Sequence, residues 1–371
     1  MARKLSLPLQ VFEQIQGARN RLTKSDVLVG LDGFVDTILH VVDKRESATK
    51  YTRIEKIAEF GKRITAASGL SMNFEMVTQM VKLGGNGPIM AHALGSYGTN
   101  VTYVGNLGSP NVHQVFSDFA KTTDLYSIAE PGYTDAVEFE DGKLMCGKHA
   151  SLKDVNWATL IKYLPEEKLI RKFNDASLIA LVNWTMLPFM DGIFNKILKN
   201  VAPKLTGDKR WIFFDLADPA KRTREDIANV MKIIVKFQKY FKVILGLNLS
   251  ESHQIGEVLG IKAPGSSPED VTTHAARIQS KLKIETVVVH PTHFAAAADD
   301  HGATFVHGPY TAKPKITTGA GDHFNAGFCI GRLLNGDLAT SLQIGVATSG
   351  YYVRQAKSPR LEDLKKFLQT L

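Results

Sequence analysis

Short runs of β-branched and other apolar residues alternate along the chain with longer stretches whose apolar positions recur at helical spacing. Residues 27–31, 101–105, 178–182, 211–214, 243–245 and 286–289 are almost wholly apolar, the pattern of strands covered on both faces. Amphipathic segments lie between them at 88–98, 191–201, 222–241 and 268–282, and three more helical stretches follow residue 321. This alternation predicts an α/β fold with a doubly wound, mostly parallel sheet flanked by helices. Two regions break the rhythm. Residues 37–83 contain a charged, helix-like insert, KYTRIEKIAEFGKRI, and 131–150 read as two short alternating strands joined at Asp141-Gly142, a turn signal. Alternation implies one wet face, so the second stretch predicts a small sheet outside the main one.

With 371 residues, the chain suits one large α/β unit with an appendage, or two modest domains. Hydrophobic residues make up 44% and charged residues 22%, ordinary globular usage that excludes a disordered chain. The 45 Lys and Arg outnumber the 37 Asp and Glu, for a formal charge of +8, which suits an anionic ligand. The basic residues are scattered rather than gathered in a tail or run, so nucleic acid is not an expected partner. Cys146 and Cys329 cannot make a disulfide framework, and no CxxC or Cys/His spacing suggests zinc. The N-terminal segment lacks an apolar core of signal-peptide length, and no run approaches the roughly eighteen apolar residues of a membrane span. A reduced, cytoplasmic protein without a membrane partner is expected.

Thr317-Thr318-Gly319-Ala320-Gly321-Asp322-His323-Phe324 follows an extended segment and leads into an apolar-periodic helix. Small residues at a helix start let the backbone approach an anion. The amides of Gly319, Ala320 and Gly321, with the positive end of the helix dipole behind them, can stabilise a phosphoryl group in flight. Asp322 at that terminus can accept the proton of an attacking hydroxyl, although Gly and Asp also begin purely structural helices. Near the front, Asp32 and Asp36 follow the first strand, and Gly84-Gly85-Asn86-Gly87 opens a helix. Ligands bind such folds at the carboxyl edge of the sheet, where two carboxylates and a Gly-rich turn can accept the hydroxyl protons of a polyol. A turn and a helix cap explain the same two aspartates equally well. Gly142 to His149 nearly matches a phosphate-binding loop, but His149 stands where Ser or Thr should hold Mg²⁺, and the segment reads as a hairpin strand.

Taken together, the segments 317–327, 84–98 and the Asp32/Asp36 pair resemble the ribokinase-like (PfkB-type) carbohydrate kinases, a family that includes adenosine kinase, over about residues 27–355. The resemblance implies an ATP- and Mg²⁺-dependent kinase that phosphorylates a hydroxyl of a sugar or sugar-like molecule. It makes Asp322 the general base and Gly319, Ala320 and Gly321 the anion hole. It assigns Asp32, Asp36, Gly84, Gly85 and Asn86 to the substrate, and Thr318 and Asn325 to the cofactor side. Asn248-Leu249-Ser250-Glu251, directly after a strand, matches the motif tied to phosphate and Mg²⁺, with Asn248 and Glu251 reaching the metal through water; without the resemblance, Glu251 reads as a solvated helix-start acid. Residues 1–36, 84–130 and 151–371 become the core carrying the nucleotide and catalytic sites, and 37–83 with 131–150 the lid. A lid-to-lid homodimer is a further expectation. Other readings remain open: a nucleoside (adenosine-like) kinase, or a non-catalytic sugar- or nucleotide-binding regulator.

The sequence also departs from the family. Ile316 stands where an aspartate helps hold a monovalent cation, so a potassium requirement is not implied. Ile89 replaces a substrate-loop asparagine, and the nucleotide-side strand ends in Val289-His290-Pro291-Thr292-His293 instead of a Thr-x-Gly turn. Those histidines, Asp215, Asn183 with Trp184, and Val346 are further candidates for the cleft wall, each with a plain structural reading as turn or core.

Overall fold

The computed structural model describes residues 5–371. Its fourteen strands are β1 (Asp26–Leu31), β2 (Phe34–Arg45), β3 (Tyr51–Arg53), β4 (Met76–Gly84), β5 (Asn100–Gly105), β6 (Asp124–Ser127), β7 (Gly132–Phe139), β8 (Gly142–Lys148), β9 (Leu178–Val182), β10 (Arg210–Asp215), β11 (Phe241–Leu247), β12 (Thr286–Val289), β13 (Phe294–Asp299) and β14 (Gly302–His307). Nine of them form one sheet in the order β14-β13-β12-β11-β10-β9-β1-β5-β6, parallel except for the antiparallel pairs β12–β13 and β13–β14. Alternate residues of the central strands go to opposite faces. Leu178, Ala180 and Val182 join one apolar layer, whereas Ile179 and Leu181 join the other. Continuous apolar runs are therefore what a sheet covered twice requires.

The hairpin β13–β14 was not legible, because Phe-Ala-Ala-Ala-Ala-Asp carries helix-favouring alanines. Here the small side chains have a packing use. Ala295 and Ala297 face one layer and Ala296 and Ala298 the other, letting the helices Pro268–Leu282 and Leu338–Gln355 come close on both sides.

A second sheet of five strands runs β3-β2-β7-β8, with β4 also paired to β2. The insert holds the expected helix, Ile57–Ala66, but β2 and β4 flank it as long strands. Lysines, aspartates and glutamine on their wet faces had hidden the strand pattern. A small cluster of Leu39, Val41, Ile54, Phe60, Val137 and Phe139 lies under this sheet. Asp141, in the β7–β8 turn, accepts the Ile57 amide at 3.0 Å and so ties the segments 37–83 and 131–150 together. Among the described residues, no helix is long and apolar enough to cross a membrane.

Candidate active site

Three chain crossings meet at the carboxyl edge of the large sheet. Asp32 leaves β1 and turns its carboxylate onto the start of the helix Asn86–Ser96, accepting the amides of Asn86 at 3.0 Å and Gly87 at 2.8 Å. The Asn183 side chain adds a third bond at 2.7 Å. Burial pushes the Asp32 carboxyl up to about 6, against these hydrogen bonds, which pull it down. Asp32 has no exposed surface, so the cap reading describes its contacts, and a substrate would meet it only through the loop it holds.

Asp36 is different. It lies on β2 opposite Lys82 of β4 and Thr134 of β7, and its carboxylate rests against Gly84, where an added Cβ would come within 2.4 Å of Oδ2. That close approach explains the glycine. Burial raises the Asp36 pKa, opposed by the Lys82 charge, the Thr134 hydroxyl and the Lys143 charge. Gly85 precedes the helix, and Asn86 extends its side chain away from it to donate to Asp322 Oδ1 at 2.9 Å.

Asp322 is the third residue of the helix Ala320–Leu333, which Gly319 opens at φ 90°, a left-handed conformation that favours glycine. Its carboxyl is pushed up to about 7, chiefly by burial and further by the charges of Asp32 and Glu251, while the Asn86 bond opposes the rise. The preceding loop is latched from behind. Tyr352 donates its hydroxyl to Thr318 O at 2.9 Å, and His323 Nδ1 bonds Gly319 O at 2.7 Å while its ring stacks on Tyr352 at 3.6 Å. Of the three amides expected to be free, that of Ala320 already bonds Thr317 O at 3.1 Å. The short 320 turn closes on itself, which corrects the expectation for Ala320.

On the other side of the loop is a cavity of about 660 Å³, lined in part by Asn248, His290, Tyr310, Ala320, Gly321 and Val346. Burial holds His290 down at about 4, and its ring tilts over Phe324 at 4.8 Å. The plain readings of His290 as a surface turn and Val346 as core are thus incomplete, since both face this space. Asn248 and Glu251 cap the helix Leu249–Val258 reciprocally, at 2.9 and 2.8 Å, and Glu251 also accepts the Asp218 amide at 3.0 Å. Glu251 is buried, not solvated, and burial raises its pKa.

Two assignments move. Asn325 does not line the cavity; it is buried and donates to Asp215 Oδ2 at 2.8 Å. Thr318 borders a second cavity of about 640 Å³ on the side of the small sheet, while Thr317 borders both. Asp215 was legible only as a strand-end residue. It is driven well above the carboxylate range by burial and then by the charges of Glu251 and Asp322. No spacing in the sequence brings these three acids together; the sheet edge does. Among the described residues no group of three His, Cys, Asp or Glu forms a ready metal cage.

The comparisons with known proteins agree with one another. The family described as prokaryotic ketohexokinase matches residues 11–371. A ketohexokinase of Haloferax volcanii is 28% identical over 357 residues, covering 96% of this chain and 92% of that protein. The fold is shared with solved structures of low identity. Escherichia coli phosphofructokinase-2 in complex with substrates and products gives a TM-score of 0.66 at 15% identity, over 94% of this chain and 99% of that one. Arabidopsis thaliana ribokinase complexed with ribose and ATP gives 0.63 at 16%, over 93% and 99%. A Methanocaldococcus jannaschii nucleoside kinase gives 0.60 at 13%, over 94% and 99%.

Proposed function

This chain belongs to the prokaryotic ketohexokinase family and is a sugar kinase with the ribokinase-like fold; from that premise we propose that it transfers the γ-phosphoryl group of ATP to a primary hydroxyl of a ketohexose, with Mg²⁺. The observation that carries the residue assignment is the bond from Asn86 to Asp322, which sets the glycine turn and the Asp36 side of the cleft one side chain away from a carboxyl poised near neutrality.

Asp322 takes the hydroxyl proton. With its carboxyl near 7, it is a stronger base than an exposed aspartate and still ionised in a large fraction at neutral pH. The acceptor oxygen bonds to the γ-phosphorus as that atom's bond to the β,γ-bridging oxygen breaks, and the electron pair leaves with ADP. Gly319 and Gly321 present their amides to the equatorial oxygens, and the 660 Å³ cavity takes the nucleotide, its apolar wall of Val346, Val353 and Phe294 suiting a purine. Asp36 accepts sugar hydroxyls, while Asp32 positions the Gly85-Asn86 loop that faces them.

The donor set fits a hard cation that keeps most of its waters. Asn248 borders the nucleotide cavity, and the charge of Glu251 adds to burial in raising the pKa of both Asp215 and Asp322, which a divalent charge would relieve. When bound, Mg²⁺ supplies charge neutralisation at the phosphates. The small sheet, from 37–83 and 131–150, acts as the lid that keeps water from the phosphoryl group.

The test is an ADP-release assay over fructose, other ketohexoses, glucose, ribose, fructose 6-phosphate and adenosine, with and without Mg²⁺. A ketohexose should give the highest kcat/KM. A preference for adenosine would replace this reading with the nucleoside kinase, and no ADP release with any acceptor would favour a binding regulator.

A further inference from the structure

Three polar side chains from distant parts of the sequence meet behind the 317–321 loop. His92 comes from the helix Asn86–Ser96, His323 from the helix Ala320–Leu333, and Ser358 from the segment after the helix Leu338–Gln355. Ser358 Oγ lies 2.9 Å from His92 Nδ1 and 2.8 Å from His323 Nε2, and the other ring nitrogen of His323 reaches Gly319 O at 2.7 Å. Ser358 and His323 are buried, whereas His92 is exposed; all three border the 640 Å³ cavity.

The direction of each bond follows from its far end. A carbonyl oxygen only accepts, so His323 Nδ1 carries a proton. Burial holds His323 down at about 4, so at neutral pH the ring has no second proton and Nε2 is a bare acceptor. Ser358 therefore donates to it. Its single proton is then spent, and the bond with His92 must run from His92 Nδ1 to Ser358 Oγ. All the donors point one way, from His92 through Ser358 and His323 to Gly319 O. Each is polarised by the bond it receives, which strengthens the last one.

A helical side chain that bonds the carbonyl four residues back is a local arrangement, and it explains the Gly319 contact alone. It does not explain bonds that reach across 35 and 266 residues, nor Tyr352 stacked on the His323 ring at 3.6 Å. The target is specific as well. Gly319 O already receives the His323 backbone amide at 3.0 Å, and the amide of the same peptide, on Ala320, bonds Thr317 O at 3.1 Å. Both ends of that peptide are fixed, and the amides next to it on either side are those of Gly319 and Gly321.

We propose that His92, Ser358 and His323 are positioning residues, a one-way hydrogen-bond relay that orients the Gly319–Ala320 peptide so that the amides of Gly319 and Gly321 meet the transferring phosphoryl group. The inference rests on the site assignment above and deepens it, because these side chains act on the phosphoryl group only through the backbone.

Long-range proton–nitrogen NMR of the histidine rings in the full chain reads the relay directly. At pH 8 both His323 and His92 should carry their proton on Nδ1. In Ser358→Ala, His92 should move to the Nε2–H form while His323 keeps Nδ1–H. Turnover of fructose should fall by about tenfold in this variant, with KM for fructose and for ATP each within about twofold of wild type. Ser358→Thr keeps the hydroxyl and should return kcat to within about twofold of wild type, a rescue that lost packing alone would not show. A wild-type His323 protonated on Nε2 overturns the relay. A Ser358→Ala enzyme within about twofold of wild type in kcat, or one in which kcat and both KM values worsen together, overturns the positioning role while leaving the kinase intact. Wild-type protein that phosphorylates no sugar overturns the reading beneath it, and the ring tautomers still report the direction of the bonds.

Discussion

The two sheets are built to opposite rules. In the large sheet β9, Leu-Ile-Ala-Leu-Val, is buried at every position, and apolar layers close over both faces. In the small sheet, β4 is exposed or half-exposed along its whole length until Gly84. One cluster around Phe60, with Phe74 and Phe139 rings at 5.0 and 5.5 Å, is joined by ion pairs such as Arg63–Asp43 and Lys148–Asp135. Exposed pairs of that kind contribute about 0–1 kcal/mol each. The rigid part therefore carries Asp322, the proposed base, and the adaptable part carries Asp36, proposed to answer to the substrate, with Lys82 and Lys143 acting on its charge. Regions that move in catalysis come from the low-stability end of a fold.

The largest effect should come from the rigid half. Asp322→Asn keeps an oxygen that can accept from Asn86 and removes the proposed base, so kcat should fall by at least about 10²-fold while nucleotide binding survives, measured by ADP release and calorimetry. Unchanged turnover would detach the chemistry from the helix start. The pH dependence follows the same carboxyl. Wild-type kcat/KM should drop as pH falls below about 7, where Asp322 is protonated. Stability runs the other way. The folded pKa is raised from the ordinary 3.8 to about 7, so the native state holds the proton more tightly, and the stabilisation, complete below about pH 4, is lost as pH rises through 7. Asn at 322 buries no charge, so the Tm of the ligand-free variant relative to wild type should increase between pH 5 and pH 8.

Where lid and core join, Gly84→Ala should cost less. The new Cβ would meet the Asp36 carboxylate at 2.4 Å and push it from its place, raising KM for the sugar by about tenfold or more with little change for ATP. Equal changes in both constants would place Asp36 outside the sugar site. In the lid itself, Phe60→Ala removes the ring at the centre of the small cluster, a truncation that costs about 3–5 kcal/mol in a full core and less here. Proteolysis between residues 37 and 83 should accelerate while the main thermal transition stays put. A main transition that falls together with the lid would make the two sheets one cooperative unit and end the comparison.

The same contrast explains what could be read from the chain. Apolar runs announced the parallel strands because burial on two sides leaves no room for polar residues. The alanines of β13 read as helix-favouring because their smallness serves the helices packed on them, which no local pattern shows. Gly319 to Asp322 were legible as a helix start because the glycines and the acid are adjacent in sequence at one helix tip. Asn325 was misplaced because its partner, Asp215, is 110 residues away. Lys143 stands in the string set aside as a false phosphate loop, and its link to Thr318 crosses 175 residues. Contacts made by the sheet edge, rather than by neighbours in sequence, were the ones out of reach.

The smallest expected effect concerns potassium. A monovalent cation at the catalytic loop would need oxygens, and here the loop offers few: Ile316 brings a hydrocarbon side chain, Thr318 O accepts from Tyr352, and Gly319 O bonds His323. These latches hold the two carbonyls from within the chain, as a bound ion could. Burial keeps His323 down at about 4, so the latch does not titrate near neutral pH. Exchanging potassium chloride for choline chloride at constant ionic strength should therefore change kcat by less than about twofold. In Tyr352→Phe, which frees the Thr318 carbonyl, a dependence on potassium should emerge. Strong activation of the wild-type enzyme by potassium would mean that the loop is rearranged when substrates bind, and that the half of the molecule taken as rigid is not.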